Sequence, residues 1–326
     1  MTLFSNFKNP VGTVAVNLRP RAGSWGGANQ WTSQVVRWFR YQGWRVVFDL
    51  RNRVDAVVMT HTGMSSHTSF GADELVVFRE KWPGVPCVHR INDNDIRKET
   101  SEMDRFLAES NRVADHTVFV SEWLRDYHGE RWFDLGKPHS VIVPGADPRF
   151  FHPVGGARWD GVGPLRLVTH HWSDNWKKGF DVYRDIDELA AGPMHGEVEL
   201  WVIGRWPEDL VWKKARTFGP ASGGQLAGLL RQCHGYVSAS RFEPGAMHVA
   251  EGLQCGLPLL YHKDTGGTVE PGRRYGLEIG ADLEATLREF RARHAELRNK
   301  VLGDPPSGST MAASYLQLIE RLLANA

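Results

Sequence analysis

Short β-branched runs alternate with helix-length stretches along the whole chain, and they do so in two successive series. That alternation leaves few folds open. A strand that is followed by a crossover helix returns to its sheet in parallel, so repeated strand–helix pairs predict a parallel sheet covered by helices on both faces. The first series reads as strands at 11–17, 45–48, 55–60, 85–91, 116–120 and 140–143. Within 29–42, Trp31, Val35, Trp38 and Phe39 fall at i, i+4, i+7 and i+8, one apolar helix face. Ser121 is placed to cap a helix carrying Trp123, Leu124 and Tyr127. Pro144-Gly145 ends the series, and 151–164 is rich in Gly and Pro. The second series has strands at 165–169, 198–203, 236–239 and 258–261, with helices at 179–191, 223–233 and 245–255. Two further helices, 282–299 and 308–325, are separated by Pro305-Pro306. The expected architecture is α/β: two facing Rossmann-like domains with a cleft between them, a ligand at the carboxyl ends of the strands, and a C-terminal helix. The expected boundaries are 1–152, 153–307 and a helix at 308–326 packing back on the first domain.

Composition narrows the classes. At 326 residues the chain can bury two cores. No window approaches ~18 consecutive apolar residues, which excludes a transmembrane helix. The first ten residues carry Ser5, Asn6, Lys8 and Asn9 and no apolar stretch, so no secretory signal is expected. Cys87, Cys233 and Cys255 lack CxxC spacing, which argues against a disulfide scaffold or zinc site and fits a reducing cytoplasm. Net charge is +1, yet residues 1–53 hold eight basic residues and one acid, a local surplus of seven. Such a segment suits an anionic acceptor, an anionic membrane surface or nucleic acid, and equally suits a solvated helix face with its loops.

The segment with the most chemistry runs from Ser240 to Pro258: SRFEPGAMHVAEGLQCGLP. It reads as a strand end, a loop and a helix opening near Gly245. Glu243 precedes that helix and Glu251 lies two turns along it. Free N–H groups of Gly245, Ala246 and Met247 at a helix N-terminus suit phosphate or sugar oxygens. A carboxylate within the helix can accept from vicinal hydroxyls, as acids do for ribose in dinucleotide folds. The plain alternative for Glu251 is a solvated helix residue, and for Lys178 a surface lysine at a helix start.

This segment resembles the glutamate–seven residues–glutamate motif of retaining glycosyltransferases of the GT-B fold, the family-4-like group. Other stretches are similar in order and spacing: Pro144-Gly145-Ala146-Asp147-Pro148 at the domain junction, Lys178-Gly179 after the first strand of the second domain, and Gly26-Gly27 after the first strand of the first. Gly256-Leu257-Pro258, Gly266-Gly267 and Glu270 match downstream. The resemblance implies that Glu243 contacts donor-sugar hydroxyls, Glu251 holds the ribose of a nucleotide-sugar, and Lys178 neutralises the diphosphate together with Gly245–Met247 and Gly26-Gly27. It implies no metal and no cofactor beyond a UDP- or GDP-sugar donor. A fixed cation and oriented amides would stabilise the charge that develops on the departing nucleoside diphosphate.

The chain also departs from that pattern. The arginine that usually precedes the Lys-Gly pair is absent, and the stretch reads His170-His171-Trp172-Ser173-Asp174-Asn175-Trp176-Lys177-Lys178. Phosphate neutralisation then falls to Lys178 with Lys177, Arg205 or a histidine. In the first domain, His89, Arg90 and Asp93 share the position where the family places a histidine or acid near the transferred sugar. Asp93-Asn94-Asp95 looks like a metal-binding DxD, but it reads better as a turn or helix cap. His61 and His67 are acceptor-side candidates. Trp31 and Trp38 read as core, while Trp172, Trp176 and Trp206 sit in loops where a base or sugar ring could stack, or where partial burial at a domain edge is an equal reading.

The expected activity is sugar transfer from a nucleotide-sugar to an acceptor hydroxyl with retention, in the cytoplasm or at its membrane face. The acceptor is a glycan, a lipid-linked saccharide or DNA. The rivals are a sugar-nucleotide epimerase or phosphorylase on the same fold, and a non-catalytic carbohydrate- or nucleic-acid-binding module. A dehydrogenase is disfavoured because neither first strand leads into GxGxxG.

Overall fold

The computed structural model of the protein describes residues 10–23, 26–60 and 68–325. The chain divides into two compact units. One takes in Met1–Arg21, Ala28–Val143 and Ser309–Ala326; the other takes in Ala22–Gly27 and Pro144–Gly308.

In the first unit six strands form one sheet: β1 (Thr13–Val16), β2 (Arg45–Val47), β3 (Ala56–Met59), β4 (Cys87–Ile91), β5 (His116–Phe119) and β6 (His139–Val141). Their order is β2-β1-β3-β4-β5-β6, and every pairing is parallel. β3 and β4 are buried at every residue, as expected of central strands covered on both faces. The helix Gly27–Tyr41 buries Trp31, Val35 and Phe39. Trp38 is only half-buried and packs beside exposed Tyr41, so the apolar face is narrower than its spacing predicts. Ser121 does cap the helix Glu122–Gly129, accepting from the Leu124 N–H at 3.1 Å. The helix Gly308–Ala324 belongs to this unit, with Tyr315 edge-on to Trp31 at 5.2 Å.

The second unit carries β7 (Leu165–His171), β8 (Val198–Gly204), β9 (Arg216–Phe218), β10 (Gly235–Ser238), β11 (Leu259–Tyr261) and β12 (Gly276–Glu278). The order is β12-β11-β10-β7-β8-β9, again all parallel. Counted within the unit this is 6-5-4-1-2-3, the dinucleotide-binding strand order read from its far edge. The sheet grows outward in both directions from the β7–β10 pair, so the crevice at their carboxyl ends is the topological switch point. β9 and β12 were not expected from the sequence. Arg-Thr-Phe and Gly-Leu-Glu carry no apolar run, and each exists as an edge strand through pairing with β8 or β11. One face of the sheet packs Trp201, Tyr236 and Leu253. The other packs Phe180, Tyr183 and Phe290, each fully buried and contributing roughly 1.5–3 kcal/mol of transfer free energy.

Candidate functional site

The switch point gathers its side chains through two loops. After β7 the chain makes a 3-10 turn, Trp176–Lys178, whose first amides are capped by Asn175 accepting from the Lys177 N–H at 2.7 Å. Gly179 follows at φ +89°. A Cβ there would lie 2.3 Å from the Ala239 carbonyl oxygen, so only glycine lets this turn press against the end of β10. The loop after β10 is tied to it in return. The Arg241 N–H donates to the Lys177 carbonyl at 2.8 Å, and its guanidinium grips Asp181 at 2.6 and 3.1 Å. Phe242 sits at φ +55°, a conformation bulky residues seldom adopt and one that costs on the order of 1–3 kcal/mol. Three backbone bonds hold it: Phe242 N–H to the Asp264 carbonyl at 2.9 Å, Glu243 N–H to that of Thr265 at 3.1 Å, and Gly267 N–H to that of Glu243 at 2.8 Å.

The consequence is a buried ion pair. Lys178 Nζ donates to Glu243 Oε2 at 2.8 Å, with the side chains only 10% and 14% exposed. Sixty-five residues of chain separate the two.

Glu251 is held by a second arrangement. His170, near the end of β7, meets Glu251 Oε2 through its Nε2 at 2.8 Å. Its Nδ1 lies 3.0 Å from the Tyr236 hydroxyl, which also accepts the His170 backbone N–H at 3.3 Å. Burial pushes the Tyr236 hydroxyl well above its ordinary pKa, so it stays protonated and donates to Nδ1. A carboxylate only accepts, so Nε2 carries the proton toward Glu251. Tyr236, His170 and Glu251 thus form a directed chain of hydrogen bonds. His248 packs edge-on to His170 and His171 at 6.0 and 5.3 Å and lies 3.2 Å from the Ser238 hydroxyl. Sequence reasoning named His170 only as one of several histidines and missed Tyr236 and His248. The sole signal was a pair of histidines at a strand end.

The helix begins at Met247 rather than Gly245. Ala246 is its N-cap residue, with an extended backbone and a carbonyl that accepts from Val249 and Ala250 at 3.1 and 3.2 Å. Gly245 therefore belongs to the loop after β10, and Met247 and His248 supply the first helical amides. Arg205, just past β8, is exposed; it donates to the Trp172 carbonyl at 3.0 Å and lies 4.0 Å over the Trp172 ring. Trp172 and Trp176 are 39% and 41% exposed. Trp206 is partly buried, packed against the edge of the core beside Trp212. The segment 22–27, with exposed Gly26 and Gly27, groups with this unit.

The first-unit candidates are placed differently. His89 is fully buried, and its Nδ1 accepts from Asn111 at 3.1 Å; burial holds it neutral, with a pKa lowered to about 3. Arg90, on the opposite face of β4, donates to Thr60 Oγ1 at 3.2 Å and lies 4.7 Å over the Trp31 ring. Asp93 pairs with Lys98 at 3.0 Å, and its carbonyl accepts from His128 at 3.0 Å. Asn94 caps the short helix Asp95–Lys98. His61 and His67 lie outside the described residues.

Two parallel six-stranded sheets, each flanked by helices, define an α/β chain with the GT-B fold. The solved structures that share it cover almost the whole chain. They include HepE of Anabaena in complex with UDP-glucose (13% identity, 97% of this chain and 100% of that one, TM-score 0.69). Sucrose-phosphate synthase from Thermosynechococcus elongatus matches at 15% identity, 96% and 99% coverage and TM-score 0.67. An alpha-glucosyltransferase in complex with UDP and a 13-mer DNA containing a HMU base matches at 12% identity, 95% and 99% coverage and TM-score 0.64. No protein-family profile and no curated protein sequence matches the chain.

Proposed function

We propose that the protein is a retaining glycosyltransferase that moves a sugar from a UDP- or GDP-type nucleotide-sugar to an acceptor hydroxyl, without a metal ion or further cofactor. The observation that carries this reading is the convergence of Lys178, Glu243 and Glu251 at the switch point of the second sheet, where an α/β fold binds nucleotides. Lys178 would sit against the donor diphosphate and stabilise its charge as the sugar–phosphate bond breaks. Glu243, held beside it, would accept from donor-sugar hydroxyls. Glu251, oriented by His170, would accept from the ribose. Arg205 and the amides of Met247 and His248 would add to the phosphate site. Gly26 and Gly27, lacking side chains, would let backbone N–H groups approach the same phosphates.

Support also comes from two of the named neighbours, HepE in complex with UDP-glucose and the alpha-glucosyltransferase in complex with UDP. The acceptor would bind the first unit, whose Arg40, Arg45, Arg51 and Arg53 are exposed. That basic surface and the DNA-bound neighbour favour one second reading, a DNA acceptor; glycan and lipid-linked acceptors are the others. Among the described residues no helix is long and apolar enough to cross a membrane. The reading places the enzyme in the cytoplasm or peripherally on a membrane.

A thermal-shift screen of nucleoside diphosphates tests it first, because a ligand of the native state raises the melting temperature by mass action. Stabilisation by UDP, GDP or ADP is expected; no shift with any of them would overturn the donor assignment. Incubation with the matching nucleotide-sugar alone and with acceptor then separates an epimerase from a transferase. Steeply salt-dependent duplex binding would select DNA as acceptor.

A further inference from the structure

At the opposite end of the strands of the second sheet, where β7 and β10 begin, lies a cavity of about 770 Å³, within the size range of small-molecule sites. One wall is the segment Pro153–Trp159, and the other is a face of the helix Leu283–Gly303. Two bonds fix its place: His294 donates to the carbonyl of His234, the residue before β10, at 2.9 Å, and Arg298 donates to the Ala157 carbonyl at 3.0 Å. β7 spans seven residues, so the cavity is separated from the Lys178–Glu243 pair by the length of the sheet, about 20 Å.

Its lining is basic. Arg158 and Arg298 enter it, and no carboxylate does among the described residues. Asp160, two residues after Arg158, accepts from the Val162 N–H at 3.0 Å, and Glu296, two residues before Arg298, pairs with Arg293 at 3.2 Å and Lys300 at 2.6 Å. Arg298 is half-buried, and both that burial and the like charge of Arg158 lower its pKa from the ordinary arginine value. Two guanidinium groups from two different segments therefore face one cavity, whose other large side chains are the apolar Val154, Trp159 and Leu302 and the polar His294 and Asn299. Val154 and Leu302 are exposed, at 75% and 42%.

We propose that this cavity binds a small phosphate monoester, its phosphate bridging Arg158 and Arg298 and its organic body lying against Val154, Trp159 and Leu302. A dianion answers two guanidinium forks better than a single carboxylate does, and a guanidinium binds phosphate in bidentate fashion. The volume exceeds what inorganic phosphate fills, and the apolar wall gives the remainder of the ligand a surface. The site is independent of the nucleotide-sugar reading and would stand if that reading failed.

Titration calorimetry of the full chain with glucose 6-phosphate, inorganic phosphate and glucose tests it. Saturable binding of the sugar phosphate is expected, tighter than inorganic phosphate and absent for glucose. Arg158→Glu, at an exposed position, should weaken it about tenfold or more while the melting temperature holds. Arg298→Gln should do the same, and Glu251→Ala should leave it unchanged. In hydrogen exchange, the ligand should slow the amides of 154–159. The proposal is overturned by no saturable binding at millimolar concentrations, by equal affinity for inorganic phosphate, or by an Arg158→Glu protein that binds as the parent does. It is also overturned if Glu251→Ala abolishes binding, which would place the ligand at the switch point instead.

Discussion

Lys178→Met separates what the ion pair does for the fold from what it does for chemistry. Two unit charges 2.8 Å apart attract by about 6 kcal/mol at an effective dielectric near 20, and most of that is offset by the desolvation of two groups only 10% and 14% exposed. Removing one partner alone is costlier than removing both, because Glu243 then loses its buried cation. About 3 kcal/mol is expected, toward the low end for a broken buried pair. For a unit of this size that corresponds to a fall of about 6–12 °C in melting temperature. The double variant Lys178→Met/Glu243→Leu removes both charges and should recover most of the loss. Turnover should not follow stability. Loss of a cation that meets charge developing on the leaving diphosphate should cost ~10²–10³-fold in nucleoside diphosphate release, in the single and the double variant alike. Scanning calorimetry and a coupled diphosphate-release assay read the two effects separately. A Lys178→Met protein that melts with the parent refutes the energetic role of the pair. A double variant that regains turnover refutes the leaving-group role.

Glu251→Ala should weaken nucleoside diphosphate binding by at least tenfold, about 1.4 kcal/mol; His170→Ala should share most of that loss and Tyr236→Phe only part of it, and calorimetric affinities in any other order would break the proposed chain of hydrogen bonds. Gly179→Ala meets the Ala239 carbonyl at 2.3 Å and a left-handed backbone, so its urea-unfolding free energy should fall by more than the ~1–3 kcal/mol of the backbone strain alone; an unchanged midpoint would show that the turn is not tight. His89 has a folded-state pKa near 3, below its ordinary 6.5. Its contribution is therefore complete above pH 6.5 and lost as pH falls toward 3, by about 1.4 kcal/mol per pH unit. His89→Gln, which keeps an acceptor for Asn111, should flatten the fall in urea-unfolding free energy between pH 6.5 and 4.5; a slope equal to the parent's would mean that His89 titrates normally.

Strand-forming runs were legible where apolar and β-branched residues cluster, and ten of the twelve strands overlap the segments that pattern marks. β9 and β12 were not, since Arg-Thr-Phe and Gly-Leu-Glu hold no apolar run and only a neighbouring strand makes them β. The helix at Met247 was legible in kind but displaced by two residues. Its start depends on Ala246 leaving the helical backbone, and no side-chain cap announces this. Trp38 is half-buried where its spacing places it in the core, and of the two readings open for Trp206 the structure has partial burial. Spacing places a ring on a face without saying how much of that face another element covers.

Local pattern carries the α/β class, the division into two series and the spacing that sets Glu243 and Glu251 on one loop and helix. These are local properties, carried by periodicity and by glycine and proline punctuation. Only the tertiary structure decided that Lys178, 65 residues before Glu243, lies 2.8 Å from it, and that His170 reaches Glu251 across 81 residues. Both contacts exist because β7 and β10 are neighbours in the sheet though far apart in the chain. Strand order is set by which faces bury one another, and no window of sequence contains that information.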